Sequence, residues 1–274
     1  MSSAAPATKK PKPAAAPASG GGGTPLYSDL DLSKLTFDAT PQGEGTKYAS
    51  VKYDGQRLCF QLEDVSTGSL RAPFGIDDGS KFGNKPSLKI ELREPQRAFF
   101  QDGIEAKVKE AAVKHKATWF GALKPLPDDA AVRASFNSRV HQDENGNYPP
   151  GLKVNINLLD DKKPKVNVLT TRRLDNDKIA KPVPGSAEDV ARGSSVVPVL
   201  RTAGGVWISV NAKKKTFEYG LVFEASDVLV IEEAAASSAF NLGGVEVTNE
   251  EEQADEQAGG GGDALGGAFG QFEG

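Results

Sequence analysis

The sequence predicts a mainly β protein, a small barrel of short strands interrupted by helical insertions and flanked by two patternless ends. Three observations carry this. Short β-branched or aromatic runs recur along the chain with turn residues between them. Only three stretches space apolar residues as a helix does. Both ends hold too few apolar side chains to offset the entropy of ordering. Strands broken by helical insertions suit a small closed barrel better than a doubly wound sheet.

Residues 1–23 are rich in Ala, Pro and Lys and close on Gly20 to Gly23, so a disordered arm is expected, with Lys9, Lys10 and Lys12 as its only charges. The folded body spans 24–232. Its first strands are expected at TKYASVKY (46–53) and RLCFQLE (57–63), joined by the turn pair Asp54-Gly55, and the next at SLKIEL (87–92). A helix is expected from Asp102, which is spaced with Glu105 as a capping box; Ile104, Val108, Ala111 and Ala112 form one apolar face through Lys116. A shorter helix fits 128–136. Strands then follow at LKVNINLL (152–159) and VNVLT (166–170), and a third helix of about two turns fits 186–192, with Gly193 as its stop signal. The last strands are SVVPVLR (195–201), VWISV (206–210), TFEYGLVF (216–223) and DVLVIE (227–232). Residues 211–215 link the middle two as a hairpin whose tip carries Lys213, Lys214 and Lys215. Alternation sets Trp207 opposite Val206, Ile208 and Val210, and places Phe217, Tyr219, Leu221 and Phe223 together. One of these faces is core; either Trp207 or the Phe217/Tyr219 pair is then free to meet a ligand.

Charge is distributed unevenly. No Lys or Arg occurs from Thr216 to Gly274, and residues 233–274 form an acidic, glycine-rich tail with nine carboxylates, among them Glu250, Glu251, Glu252, Asp255, Glu256 and Asp263. Subtracting those nine from the formal charge of −4 leaves +5 on the rest of the chain. A flexible polyanion tied to a basic body can occupy the site of another polyanion. A tail that only solvates gains nothing from exposed rings, whereas Phe269 and Phe272 give this one the apolar anchors of a docking peptide.

A single cysteine, Cys59, permits no internal disulfide, which points to a reducing compartment. No apolar run approaches the length of a membrane span and the N-terminus has no signal-like apolar stretch, so a soluble intracellular protein is expected. Enzyme signatures are missing: His115 and His141 have no partners at metal-ligand spacing, and neither glycine run precedes a Gly-Lys-Ser/Thr. A non-enzyme without cofactor or metal is expected.

Aromatic residues interleaved with bases remain, the composition a single-strand binder needs: bases stack on rings irrespective of sequence while Lys and Arg follow the phosphates. The candidates are Lys81, Phe82 and Lys85; Trp119, Phe120 and Lys124; Arg172 and Arg173; and Lys213, Lys214, Lys215 and Tyr219. Aromatics in β proteins are usually core, and Phe82, between Gly79 and Gly83, is the least core-like of these.

The segment GGVWISVNAKKKTFEYGLVFEASDVLVIEE (204–233), with ARGSSVVPVL (191–200), PFGI (73–76) and KPSLKIEL (85–92), resembles the single-stranded DNA-binding proteins of large algal and amoebal DNA viruses and the related podophage proteins. The resemblance covers about 25–232 plus the tail. It implies an OB-fold barrel of five strands with insertions and a cationic groove for single-stranded DNA. It also implies an acidic tail that competes for the groove and docks replication partners, the replicative polymerase and helicase/primase, and it allows a homo-oligomer. Podophage proteins end on an aromatic residue, whereas here Glu273-Gly274 follow Phe272. The expected role is therefore a non-enzymatic single-stranded DNA binder in viral or phage-like replication and recombination. The rivals are a structural β-sandwich of a virion or assembly, with solubilising ends, and a binder of duplex or RNA.

Overall fold

A long antiparallel hairpin organises the chain. Its strands are β13 (Ser194–Asn211) and β14 (Thr216–Glu232), and five of the other twelve strands among the described residues pair directly with one of them. The computed structural model describes residues 24–80, 85–143, 145–159, 163–174 and 178–232. The expectations for the arm (1–23) and the tail (233–274) lie outside them. No helix among the described residues is long and apolar enough to cross a membrane.

The free edge of β13 pairs antiparallel with β2 (Lys47–Ala49), β5 (Cys59–Gln61) and β6 (Leu70–Ala72). The free edge of β14 pairs parallel with β10 (Gly151–Ile156) and β11 (Asn167–Arg172). Beyond β10 lie β8 (Ser87–Glu91), then β7 (Ile76–Asp77), with β9 (Val140–His141) also on β10; β12 (Val183–Pro184) edges β11. A separate three-stranded sheet joins β1 (Leu35–Phe37), β3 (Val51–Tyr53) and β4 (Gln56–Arg57). The protein is mainly β, and among the described residues the large sheet is open.

Four strands expected at the end of the body are thus two. Their supposed breaks are irregularities that the hairpin absorbs. From Thr202 to Val206, β13 uses four steps where β14 uses two, from Phe223 to Leu221. The surplus is taken up at Gly204 and Gly205, with φ of 81° and 110°, which only glycine adopts readily. On β14, Ser226 is the extra residue between the pairs Leu200↔Ala225 and Val199↔Asp227. It inverts the alternation: Tyr219, Leu221, Phe223 and Ala225 face the core before it, Val228 and Val230 after it.

The main helix starts earlier than the capping pattern implies. It runs as α1 (Glu94–Ala98), a π-helical stretch (Phe99–Glu105) and α2 (Ala106–Lys114). Pro95 fits the first turn, where its missing N–H would have no partner in any case. Asp102 and Glu105 fall inside the π stretch; the buried Glu105 carboxylate accepts from Ser138 Oγ at 2.6 Å instead of capping. A short α3 (Lys116–Trp119) follows. The second expected helix is α4 (Asp129–Ala134), where the Asp128 carboxylate accepts from the Ala131 N–H at 2.7 Å. The third shrinks to one 3-10 turn (Ala187–Asp189), held by a Ser186/Asp189 capping box.

The helical run packs Phe99 and Phe100 against Phe60 and Phe223 at ring separations of 5.3–6.1 Å. A second aromatic group joins Trp119, Phe120, Phe136, Phe217 and Tyr219 at one end of the hairpin. The inner face of β13–β14 is committed to this core, which leaves its outer face for other uses.

Candidate nucleic-acid interface

The outer face of the hairpin floors an open cleft of about 890 Å³. Because Val206 and Ile208 are buried, Trp207 points the other way, and the alternative left open by the sequence resolves in its favour. Trp207 pairs with Tyr48 on β2 and with Gly220 on β14. Directly opposed residues of an antiparallel pair project to the same side, so the two rings are neighbours on one surface. Gly220 makes room: a Cβ there would stand 3.0 Å from Trp207 Nε1 and 3.2 Å from Cε2, so the indole lies over the strand. Tyr48 is 45% exposed. Gly205 brings β13 against β2 so closely that a Cβ would overlap the Ala49 carbonyl.

Cations surround this aromatic pair. Lys52 and Arg57 are cross-strand partners on β3 and β4, and both line the cleft. Arg201 and Lys153 come from β13 and β10, while Lys85, Arg139 and Lys163 approach from loops. Among the described residues, the one acid in the lining is Glu224, 4% exposed on β14. It accepts from Arg201 Nη2 at 2.8 Å and lies 3.9 Å from both Arg57 Nη2 and Lys163 Nζ. One carboxylate thus spaces three cations that would otherwise repel. Arg57 is anchored further by donating Nε–H to the Thr202 carbonyl at 2.6 Å. Burial, then repulsion from Arg201, pushes the Arg57 guanidinium below its usual value, and burial does the same to Arg139. Both perturbations favour an anion in the cleft, which would repay the desolvated charge.

Unspent hydrogen-bond donors converge here. Arg139 Nε, Arg201 Nε and Trp207 Nε1 are buried and find no acceptor among the described residues. Buried donors without partners cost about 1–3 kcal/mol each, so these side chains gain from any rearrangement that brings an acceptor within reach.

The sequence-derived candidates divide sharply. Lys85 lines the cleft. Lys81 and Phe82, and the tail residues from Glu250 to Phe272, lie outside the described residues. Trp119, Phe120 and Tyr219 are core, at 2%, 0% and 0% exposure, so the expectation that they offer a stacking face is corrected. The Trp119 indole instead donates to the Asp38 carbonyl at 3.2 Å, and burial pushes the Tyr219 phenol well above its usual value. Lys124, Arg172, Arg173 and the exposed tip Lys213–Lys215 are not part of the cleft lining. Tyr48, Lys52, Arg57, Arg139, Lys153, Lys163 and Arg201 were not singled out by composition. The usable signal was alternation: Lys153 sits between buried Leu152 and Val154, as Trp207 sits between Val206 and Ile208.

Among the described residues, no three His, Cys, Asp or Glu side chains gather as a metal site. No protein-family model and no curated protein matches this chain. Solved structures with a similar arrangement include the single-stranded DNA-binding protein of bacteriophage Enc34 in complex with ssDNA. It is 13% identical, with 70% of this chain and 93% of that chain covered and a TM-score of 0.31. Its C-terminal truncation is 14% identical, covering 73% and 94%, with a TM-score of 0.32. The gp2.5 single-stranded DNA-binding protein of bacteriophage T7 is 16% identical, covering 76% and 100%, with a TM-score of 0.34. Likeness at this level does not assign a ligand; the chemistry of the cleft has to do so.

Proposed function

We propose that this chain is a non-enzymatic, OB-like single-stranded DNA-binding protein whose interface is the cleft over the outer face of β13–β14. The observation that carries the reading is the placement of Tyr48 and Trp207 side by side, ringed, among the described residues, by seven cations against one carboxylate. Unpaired bases stack on the rings, phosphates take the guanidinium and ammonium groups, and no bond need be made or broken. Lys213–Lys215, beyond Trp207 on the same hairpin, extend the cationic path. The proposed setting is viral or phage-like replication, with the tail from Glu233 competing for the cleft and docking replication proteins through Phe269 and Phe272.

Intrinsic fluorescence tests this directly, because of the two tryptophans Trp119 is core and Trp207 lies in the cleft. Single-stranded oligonucleotide should quench Trp207 and bind at least about tenfold more tightly than duplex of equal length, a gap of about 1.4 kcal/mol. Equal affinities would remove the claim. Truncation after Glu232 should tighten binding severalfold at low salt and less as salt screens both polyanions; unchanged affinity at every salt would leave the tail without a competing role.

A further inference from the structure

The cationic surface does not stop at the cleft. Across the sheet, Trp207 neighbours Gly220, Arg201 neighbours Glu224, Glu224 neighbours Asn155, and on β10 Lys153, two residues from Asn155, neighbours Lys89 on β8. Opposed residues share a face, so this row continues the cleft floor from β2 to β8, four strand spacings or roughly 19 Å. The Lys89 stem lies over Gly151, where a Cβ would stand 3.3 Å from its Cγ. Its ammonium reaches 5.5 Å from the centre of the Phe74 ring.

Phe74 is 60% exposed, although Leu70, Ala72 and Leu88 close by are buried. Its position is fixed by the next residue. Gly75 has φ 67°, and a Cβ there would come within 2.5 Å of the Val190 carbonyl, which also accepts from the Ile76 N–H at 3.2 Å. A single exposed apolar residue is ordinary. A ring held on a pinned turn, with a cation over its face and a basic row leading to it from an aromatic cleft, is not explained by packing.

We infer that Phe74 and Lys89 form a second base-stacking subsite for the same single strand, at the far end of the row that begins at Tyr48 and Trp207. A base arriving on the ring displaces the Lys89 ammonium, which is then free to pair with the adjoining phosphate. Only a strand long enough to leave the cleft reaches this subsite. The inference rests on the single-strand reading above, and oligonucleotide length separates the two.

The test measures binding of oligothymidylates of about 4 and about 16 nucleotides, the two limits of footprints on one such fold, to the full chain and to Phe74→Ala, Phe74→Leu and Phe74→Tyr. Phe74→Ala and Phe74→Leu should bind the short strand as the parent does and the long one at least about fivefold more weakly, the loss of one stacked base at about 1 kcal/mol. Phe74→Tyr, which keeps a ring, should bind both as the parent does. If the parent favours the long strand and all three variants match it at both lengths, the Phe74 subsite is overturned and the cleft reading stands. If the parent binds neither strand, both fall.

Discussion

Removing Lys85 and Lys153 together should flatten the salt dependence of single-strand binding by a calculable amount. Seven cations among the described residues line the cleft, but Arg57, Arg201 and Lys163 share the Glu224 carboxylate. Lys52, Lys85, Arg139 and Lys153 have no ion pair among the described residues, so on the proposed reading they are the groups that would release counterions from phosphate. Each contact contributes about 0.7 to the slope of log K against log salt on a single strand. Four contacts give a slope of about −2.8, so raising salt fourfold, from about 50 to about 200 mM, weakens binding about 50-fold. In Lys85→Ala/Lys153→Ala the slope should fall to about −1.4 and the same change should cost about sevenfold. Fluorescence anisotropy of a labelled oligothymidylate, titrated at five salt concentrations, reads the slope without assuming a binding site. A folded double variant that keeps the parental slope would show that phosphates do not lie in this cleft.

Three further outcomes follow from the same geometry. Tyr48→Ala should weaken binding by about 1–3 kcal/mol with an almost unchanged melting temperature, whereas Tyr219→Ala or Phe120→Ala should cost about 3–5 kcal/mol of stability; a reversed pattern in thermal melts and titrations would exchange core for cleft. Gly205→Ala forces a side chain onto φ 110° and into the Ala49 carbonyl, so it should destabilise the chain by at least about 1–3 kcal/mol and weaken binding by moving Tyr48 away from Trp207; a wild-type melt with wild-type affinity would refute the close approach. His141 is held below its usual value first by burial, then by Lys89, Arg139 and Lys153. Its folded pKa is depressed, so its share of stability is complete above about pH 6.5 and is lost as pH falls through the lower folded value. A bound polyanion reverses the repulsion, so affinity should rise between about pH 7.5 and 5.5 with proton uptake, and His141→Gln should remove most of that rise, read by calorimetry in two buffers.

The strand content was readable because β-branched alternation is a local signal, and 87–92 and 152–159 returned as β8 and β10 within a few residues. The length of β13 and β14 was not. Gly204-Gly205 carries the composition of a turn, and only the partner strand decides that it is a bulge. The cleft was hidden for a related reason. Clusters such as Trp119-Phe120 are conspicuous in sequence because core segments concentrate aromatics, whereas Tyr48, Arg57, Arg139, Lys153 and Arg201 meet only once four strands and a loop are assembled. Trp207 shows what a local rule can reach: alternation placed it opposite Val206 and Ile208, and tertiary packing then chose the side.

The hairpin of β13 and β14 also sets when the chain can fold during synthesis. β2, β5 and β6 have β13 as their strand partner in the large sheet, and β11 lies on β14, yet these partners occupy residues 194–232, the last of the body to leave the ribosome. At about 5–20 residues per second, the first strands wait on the order of ten seconds or more with unpaired edges. The acidic segment that follows Glu232 emerges next, so the newly closing basic face is accompanied by a polyanion from the moment it forms. A nascent chain stopped before residue 194 would hold most of the strands and neither member of the pair that joins them, which makes premature termination a route to edge-to-edge aggregation instead of to a smaller working fragment.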